Sequence, residues 1–329
     1  MKVLVTGVAG QLGFDVVNEL LKRDCETVGS DLSAECPEKI QYVPNETYQG
    51  VLNGGKFQYV PLDITDAPAV ERVLEKIKPD VVIHCAAWTA VDAAEENQDK
   101  VMAVNAGGTR NIALACKKLS CRMMYISTDY VFDGQGEKPW EPDCKDYKPL
   151  NVYGRSKLFG EQAVAELLEK FFIVRIAWVF GKNGNNFIKT MLSLAKKYDT
   201  IRVVSDQIGT PTYTYDLARL LVDLAETEKY GYYHATNEGG YISWYDFTRE
   251  IFRQAYALGY AECSEEETKV IPVTTEEYGI SKAKRPFNSR LDKRKLKEQG
   301  FLPLPDWKDA LGRYLRELEE KREDENGTD

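Results

Sequence analysis

Tyr153 and Lys157 stand four residues apart in the run Tyr153-Gly-Arg-Ser-Lys157, a spacing that puts a phenol and an ammonium on one face of a helix about one turn from each other. A free tyrosine titrates near pH ~10 and a neighbouring ammonium favours its phenolate, so such a pair can exchange a proton with a carbonyl or alcohol oxygen near neutral pH. The same spacing also arises by chance on solvated helix faces, so it needs a companion. Upstream, Ile126-Ser127-Thr128-Asp129-Tyr130 closes an apolar, β-rich run, and Thr128 there offers a hydroxyl that can hydrogen-bond a substrate oxygen. Thr128 could equally cap a turn, and Asp129 has a purely structural reading as well.

A second group of residues has the pattern of a dinucleotide site. Gly7-Val8-Ala9-Gly10-Gln11-Leu12-Gly13 lies between a strand-like run and a helical pattern. Glycines in such a turn let backbone N–H groups approach a pyrophosphate at the helix N-terminus. Gly7, Gly10, Gln11, Leu12 and Gly13 are therefore cofactor-binding candidates, although a Gly-rich turn alone can be no more than a tight connection. Asp31 closes the next strand-like run, where an acidic side chain accepts hydrogen bonds from adenosine ribose hydroxyls and repels a 2′-phosphate. This favours NADH over NADPH without excluding the latter. Asp63-Ile64 and Ala86-Ala87-Trp88-Thr89 follow two further strand-like runs, at the edge where such sheets bind ligands, and are placed to line the adenine and the nicotinamide ribose.

The elements that must hold these groups alternate along the chain. Strands are expected at residues 2–6, 26–31, 57–61, 80–86, 122–127 and 172–177, with helices at 11–23, 101–119 and 152–169 between them. Near-continuous apolar strands separated by helices imply a parallel sheet buried on both faces. The fold class expected is α/β, a Rossmann-type doubly wound parallel sheet with a smaller C-terminal substrate-binding domain. Residues 1–180 form the NAD(P)-binding part. Residues 181–318, with helices near Phe187, Trp244 and Trp307, a loop at 205–214, a helix to about Ala225 and a strand near Tyr232, form mainly the substrate part, some segments of which return to the sheet. Residues 34–56 read as an inserted loop, and Glu319–Asp329 as a frayed acidic tail.

Bulk properties narrow the function. At 329 residues with 43% hydrophobic and 29% charged side chains, the composition is that of an ordinary globular protein. A net charge of −9 argues against nucleic acid as a partner. No apolar run approaches the roughly 18 residues of a membrane span, and no secretory leader is evident, so a cytoplasmic location is expected. The seven cysteines lack CxxC spacing, which predicts reduced thiols without disulfide or zinc, and no metal ligand set can be named.

At this point the chain resembles the extended short-chain dehydrogenase/reductases, and among them the dTDP-4-dehydrorhamnose reductases. The likeness covers almost the whole length and rests on VTGVAGQLG (5–13), HCAAWTAVDAAE (84–95), YISTDYVFDG (125–134), PLNVYGRSKLFGE (149–161), RIAWVFG (175–181), DQIGTPTYTYDLA (206–218) and RPFNSRL (285–291). The resemblance implies reduction of the C4 keto group of a dTDP-linked 6-deoxy sugar by NADH or NADPH, with Thr128, Tyr153 and Lys157 as the catalytic set. Tyr153 would protonate the C4 oxygen, and Lys157 would also hold the nicotinamide ribose. Trp178 and Asp129 would lie against the sugar. Asn186, Gln207, Arg285 and Arg290 are candidate contacts to the nucleotide diphosphate. The family also includes dimers and a magnesium dependence, so a homodimer is compatible with the resemblance.

Related activities are separated by the residues after Thr128. A 4,6-dehydratase carries an Asp-Glu pair there, whereas here Asp129-Tyr130 lacks the second carboxylate. A combined epimerase and reductase would want a Cys or His base beside the sugar, and the two histidines are His84, within a strand, and His234 in the C-terminal half. The remaining alternatives are another sugar-nucleotide reductase or epimerase, and a catalytically silent regulatory subunit that keeps the fold. Intact Thr128, Tyr153 and Lys157 speak against the latter.

Overall fold

Successive residues of a strand face opposite ways, and the first strand sets the layers of the molecule accordingly: Val3 and Val5 enter one apolar core, Leu4 another. The computed structural model describes residues 1–36 and 57–326. The N-terminal half comprises β1 (Lys2–Thr6), α1 (Gln11–Lys22), β2 (Glu26–Asp31), β3 (Phe57–Pro61), α2 (Ala67–Ile77), β4 (Val81–His84), α3 (Val91–Ala94) and α4 (Gln98–Met102). A π-helical turn, Ala103–Gly108, leads into α5 (Thr109–Leu119), followed by β5 (Arg122–Thr128), α6 (Val152–Leu167) and β6 (Phe171–Ile176). Then come β7 (Val179–Phe180), α7 (Phe187–Ala195), β8 (Thr200–Val204), β9 (Ile208–Gly209), β10 (Thr212–Tyr213), α8 (Thr214–Ala225), β11 (Gly231–His234) and β12 (Ile242–Ser243). The chain closes with α9 (Trp244–Ala257), β13 (Lys269–Val273), α10 (Thr275–Tyr278), α11 (Arg294–Glu298) and α12 (Trp307–Asn326).

Seven strands form the main sheet in the order β11-β6-β5-β4-β1-β2-β3, and every pairing in it is parallel. This is the expected Rossmann-type sheet. Side chains of α1 and α8 share one core with Val3 and Val5, and those of α2, α5 and α6 share the other with Leu4. The winding reverses between β1 and β4, and the crevice at the carboxyl ends of strands beside such a reversal is where ligands bind. A third core, from α7, α9 and α12 with β8, lies in the C-terminal part.

Several local expectations change. The helix expected at 101–119 is interrupted by the π-helical turn, and the 205–214 loop holds two short strands, β9 and β10. Helix α2 is an addition to the elements read from the sequence. Its start signal is Asp66, whose side chain caps the Ala69 N–H, with a proline in the first turn. The pair β8 and β13 is likewise additional. The acidic tail expected to fray from Glu319 stays helical to Asn326 within α12. Apart from residues 34–36, the inserted loop lies outside the described residues. Among those described, no helix is long and apolar enough to cross a membrane.

Candidate active site

A cleft of about 880 Å³ opens at the carboxyl ends of the central strands. Every residue expected to bind the cofactor lines it: Gly7, Gly10, Gln11, Leu12 and Gly13 from the first turn, Asp31 after β2, Asp63 and Ile64 after β3, Ala86 to Thr89 after β4, and Tyr153 and Lys157 from α6. Thr128, Asp129 and Trp178 line it too. One cleft therefore joins the three groups of residues read from the sequence.

The Gly turn is built for close approach. Gly7 has φ +75°, and a Cβ there would lie 2.6 Å from the Ala86 backbone nitrogen. Helix α1 begins behind Gly10 with no side-chain cap and no acidic residue in its first turn. Its first N–H groups and the positive end of its dipole are thus left for an anion, which is the donor set a pyrophosphate requires. Asp31 accepts the Ala9 N–H through Oδ2 and the Leu32 N–H through Oδ1, each at 2.8 Å. The carboxylate that would meet a ribose also braces the turn that would meet the pyrophosphate.

Thr128 is the last residue of β5, and its Oγ1 accepts the Tyr130 N–H at 3.2 Å while donating to Asp129 Oδ1 at 3.0 Å. Thr128 therefore caps the turn, and it also lines the cleft. Asp129 is buried, and burial pushes its carboxyl up to about 6, against the hydrogen bond from Thr128. Tyr153 enters in the first turn of α6, which Asn151 caps by accepting the Gly154 N–H at 2.8 Å. The Tyr130 ring meets that of Tyr153 edge to face, with ring centres 5.6 Å apart.

The electrostatics differ from the expectation for a bare Tyr-Lys pair. Burial, with the charge of Asp129 behind it, pushes the Tyr153 phenol above its usual value. Lys157 is pulled down to about 7 by burial, opposed by Glu161. Its Nζ donates to the Ile126 carbonyl at 2.7 Å and lies 4.1 Å from the Tyr125 ring centre. Burial thus favours the protonated form of the Tyr153 phenol.

Trp178 adopts φ +51°, a left-handed conformation that costs a bulky residue about 1–3 kcal/mol and persists where the surroundings enforce it. Thr212 does so, donating its N–H to the Trp178 carbonyl at 3.0 Å and its hydroxyl to the Ala177 carbonyl at 2.5 Å. The Trp178 indole stacks on Trp244 with ring centres 3.7 Å apart. Trp244 also lines the cleft.

Sequence reasoning missed Asn105, which sits in the π-helical turn. Its Oδ1 accepts the Trp88 N–H at 2.7 Å, and its Nδ2 donates to the Trp88 carbonyl at 3.0 Å and to Ser156 Oγ at 2.9 Å. Ser156 Oγ in turn donates to the Tyr153 carbonyl at 2.7 Å. Asn105 thereby ties the loop after β4 to the helix carrying Tyr153 and Lys157.

The four diphosphate candidates are not brought into the lining of the cleft. Arg285 is drawn to Asp92 at 2.5 Å, Arg290 to Asn288 at 3.0 Å, and Gln207 to Thr275 at 3.0 Å. Asn186 caps α7 and donates to Tyr314, Gln11 and the Gly181 carbonyl. Neither histidine lines the cleft. His84 lies between Thr6 and Thr109, where burial holds its imidazole down at about 3, and His234 is equally buried.

The chain matches the family model described as the RmlD substrate binding domain over residues 1–320. It is 38% identical to a dTDP-4-dehydrorhamnose reductase from Aggregatibacter actinomycetemcomitans, with 94% of this chain and 97% of that protein covered. It is 36% identical to the spore coat polysaccharide biosynthesis protein SpsK of Bacillus subtilis, covering 96% and 97%. Among solved structures, the dTDP-4-dehydrorhamnose reductase of Bacillus anthracis in complex with NADP superposes with a TM-score of 0.79 at 38% identity, covering 96% of this chain and 100% of that one.

Proposed function

Because the chain belongs to the family of the RmlD substrate binding domain, we propose that it reduces the C4 keto group of dTDP-4-dehydro-6-deoxy-L-mannose with NADH or NADPH and releases dTDP-L-rhamnose. The observation that carries this reading is the single cleft in which an uncapped Gly-turn helix, Asp31, Thr128, Tyr153 and Lys157 converge. The first-turn backbone of α1 would hold the pyrophosphate, Asp31 the adenosine ribose, and Ala86 to Thr89 with Lys157 the nicotinamide ribose. When bound, the nicotinamide supplies the hydride that C4 accepts.

The chain's own work is the proton. Tyr153 Oη, kept protonated by burial, donates to the C4 oxygen as that oxygen gains charge, so a C–H and an O–H bond form as the carbonyl π bond is lost. Thr128 Oγ1 orients the same oxygen. Lys157, as its ammonium, stabilises the phenolate left on Tyr153. Asp129 and Trp178 receive the sugar. The reading includes a nucleotide-sugar as the partner, a cytoplasmic setting and a homodimer, with no role for nucleic acid, and the product would serve as a glycosyl donor for polysaccharide.

The test is oxidation of NADH or NADPH in the presence of the keto sugar. Tyr153→Phe is expected to bind either cofactor normally and to lose at least about 100-fold in turnover, the scale of a general acid. Absence of turnover by the unaltered protein with both cofactors, or full activity in the variant, would sink the proposal.

A further inference from the structure

Trp178 is held by more than its own backbone. Strand β9 pairs antiparallel with β12, Ile242 opposite Gly209 and Ser243 opposite Ile208, and α9 starts at the next residue, Trp244. A capping box fixes that start: the Ser243 hydroxyl accepts the Asp246 N–H at 3.0 Å, and the Asp246 carboxylate accepts the Ser243 N–H at 3.1 Å. Trp244 is thereby delivered as a first-turn residue directly against Trp178, the two rings 14° from parallel. Phe187 backs Trp244 with ring centres 4.4 Å apart. From the other strand, Gly209 leaves room for the indole: a Cβ there would lie 2.8 Å from Trp178 Cε2, 2.9 Å from Nε1 and 3.0 Å from Cζ2.

We propose that Gly209 and Trp244 are positioning residues that set Trp178 as a rigid aromatic wall of the sugar site and so determine its fit to the nucleotide-linked sugar. The proposal rests on the reductase reading for the identity of the ligand. An apolar wall two indoles thick suits the C–H face of a deoxyhexose and offers flat stacking area at small entropic cost. Thr212 fixes the backbone of Trp178 and the stack fixes its ring, so the wall is in place before the sugar arrives. An ordinary Trp in a loop would have to be ordered on binding.

The test is a double-mutant cycle. Gly209→Ala is expected to raise the KM for the keto sugar at least about tenfold, with the cofactor KM within about twofold, because the added methyl pushes the indole aside. In a Trp178→Phe background, whose smaller ring leaves space, the same substitution is expected to cost less than about twofold. Trp244→Leu should abolish the exciton couplet that stacked indoles give in circular dichroism and raise the sugar KM, while Trp244→Phe restores part of the KM. An equal cost of Gly209→Ala in both backgrounds, or a couplet that survives Trp244→Leu, overturns the inference while leaving an active reductase. An unaltered protein that shows the couplet but neither reduces the keto sugar nor binds dTDP-L-rhamnose overturns the functional reading, and with it the wall's role toward sugar.

Discussion

Lys157 Nζ donates to the carbonyl oxygen of Ile126 across 2.7 Å, within the buried floor formed by β5. Burial brings its ammonium from an ordinary 10.5 down to about 7. Between those values the unfolded chain keeps a proton that the folded chain has shed, so stability rises with pH, by up to about 1.4 kcal/mol per unit for one proton. Below about 7 the charge is carried in both states and the full burial cost remains. Lys157→Met is expected to remove this rise, read by urea unfolding of the cofactor-free protein from pH 7 to 9. Parallel profiles for the two proteins would contradict the assignment.

Asp129 behaves in the opposite sense. Its carboxyl is raised from 3.8 to about 6, so between those values the folded chain holds a proton that the unfolded chain has lost. Stability falls as pH rises through that window, and the cost is fully present above it. Asp129→Asn should therefore gain on the unaltered protein between pH 4 and pH 7 in denaturation experiments. In kinetics, an acid limb of kcat/KM near pH 6 should vanish in the variant. A limb that persists would assign it to another group.

The residues legible in the sequence are those placed by local signals. Thr128 ends a strand, Tyr153 and Lys157 occupy consecutive turns of a helix capped by Asn151, and the Gly turn joins β1 to α1. Each needs only strand, cap and helix period to find its position. Trp244, Gly209 and Asn105 were not legible, because their roles exist only where β12 pairs with β9 or where a π-helical turn reaches the loop after β4. Arg285, a candidate contact to the diphosphate, is paired with Asp92, a partner that no local pattern in the sequence indicates. The short strands β7, β9, β10 and β12, two residues each, carry too little pattern to be distinguished from loop.

Asp31 should govern cofactor choice twice over. It opposes a 2′-phosphate by charge, and it braces the Gly turn through the Ala9 N–H. Asp31→Asn keeps an acceptor for one of its two N–H bonds and loses the charge. Its ratio of kcat/KM for NADPH over NADH is expected to rise at least about fivefold, roughly 1 kcal/mol of differential binding. Asp31→Ala should show a similar rise in the ratio with poorer KM for both cofactors, since the turn is also loosened. An unchanged ratio in both variants would remove Asp31 from cofactor discrimination.

Asn105 makes the most concentrated structural claim. One buried amide satisfies both backbone groups of Trp88 and reaches Ser156, which holds the Tyr153 carbonyl. Asn105→Ala removes the side-chain partner of the N–H and carbonyl of the half-buried Trp88, with an expected loss of about 1–3 kcal/mol in all. A fall in stability alone would follow from any buried hydrogen-bonded residue, so the distinguishing result is kinetic. The loop from Ala86 to Thr89 lines the cleft beside Lys157. Releasing it should raise the cofactor KM more than the sugar KM, whereas Ser156→Ala, which leaves the Trp88 bonds intact, should affect turnover with little change in cofactor KM. Equal effects of Asn105→Ala on both KM values would reduce Asn105 to a packing residue.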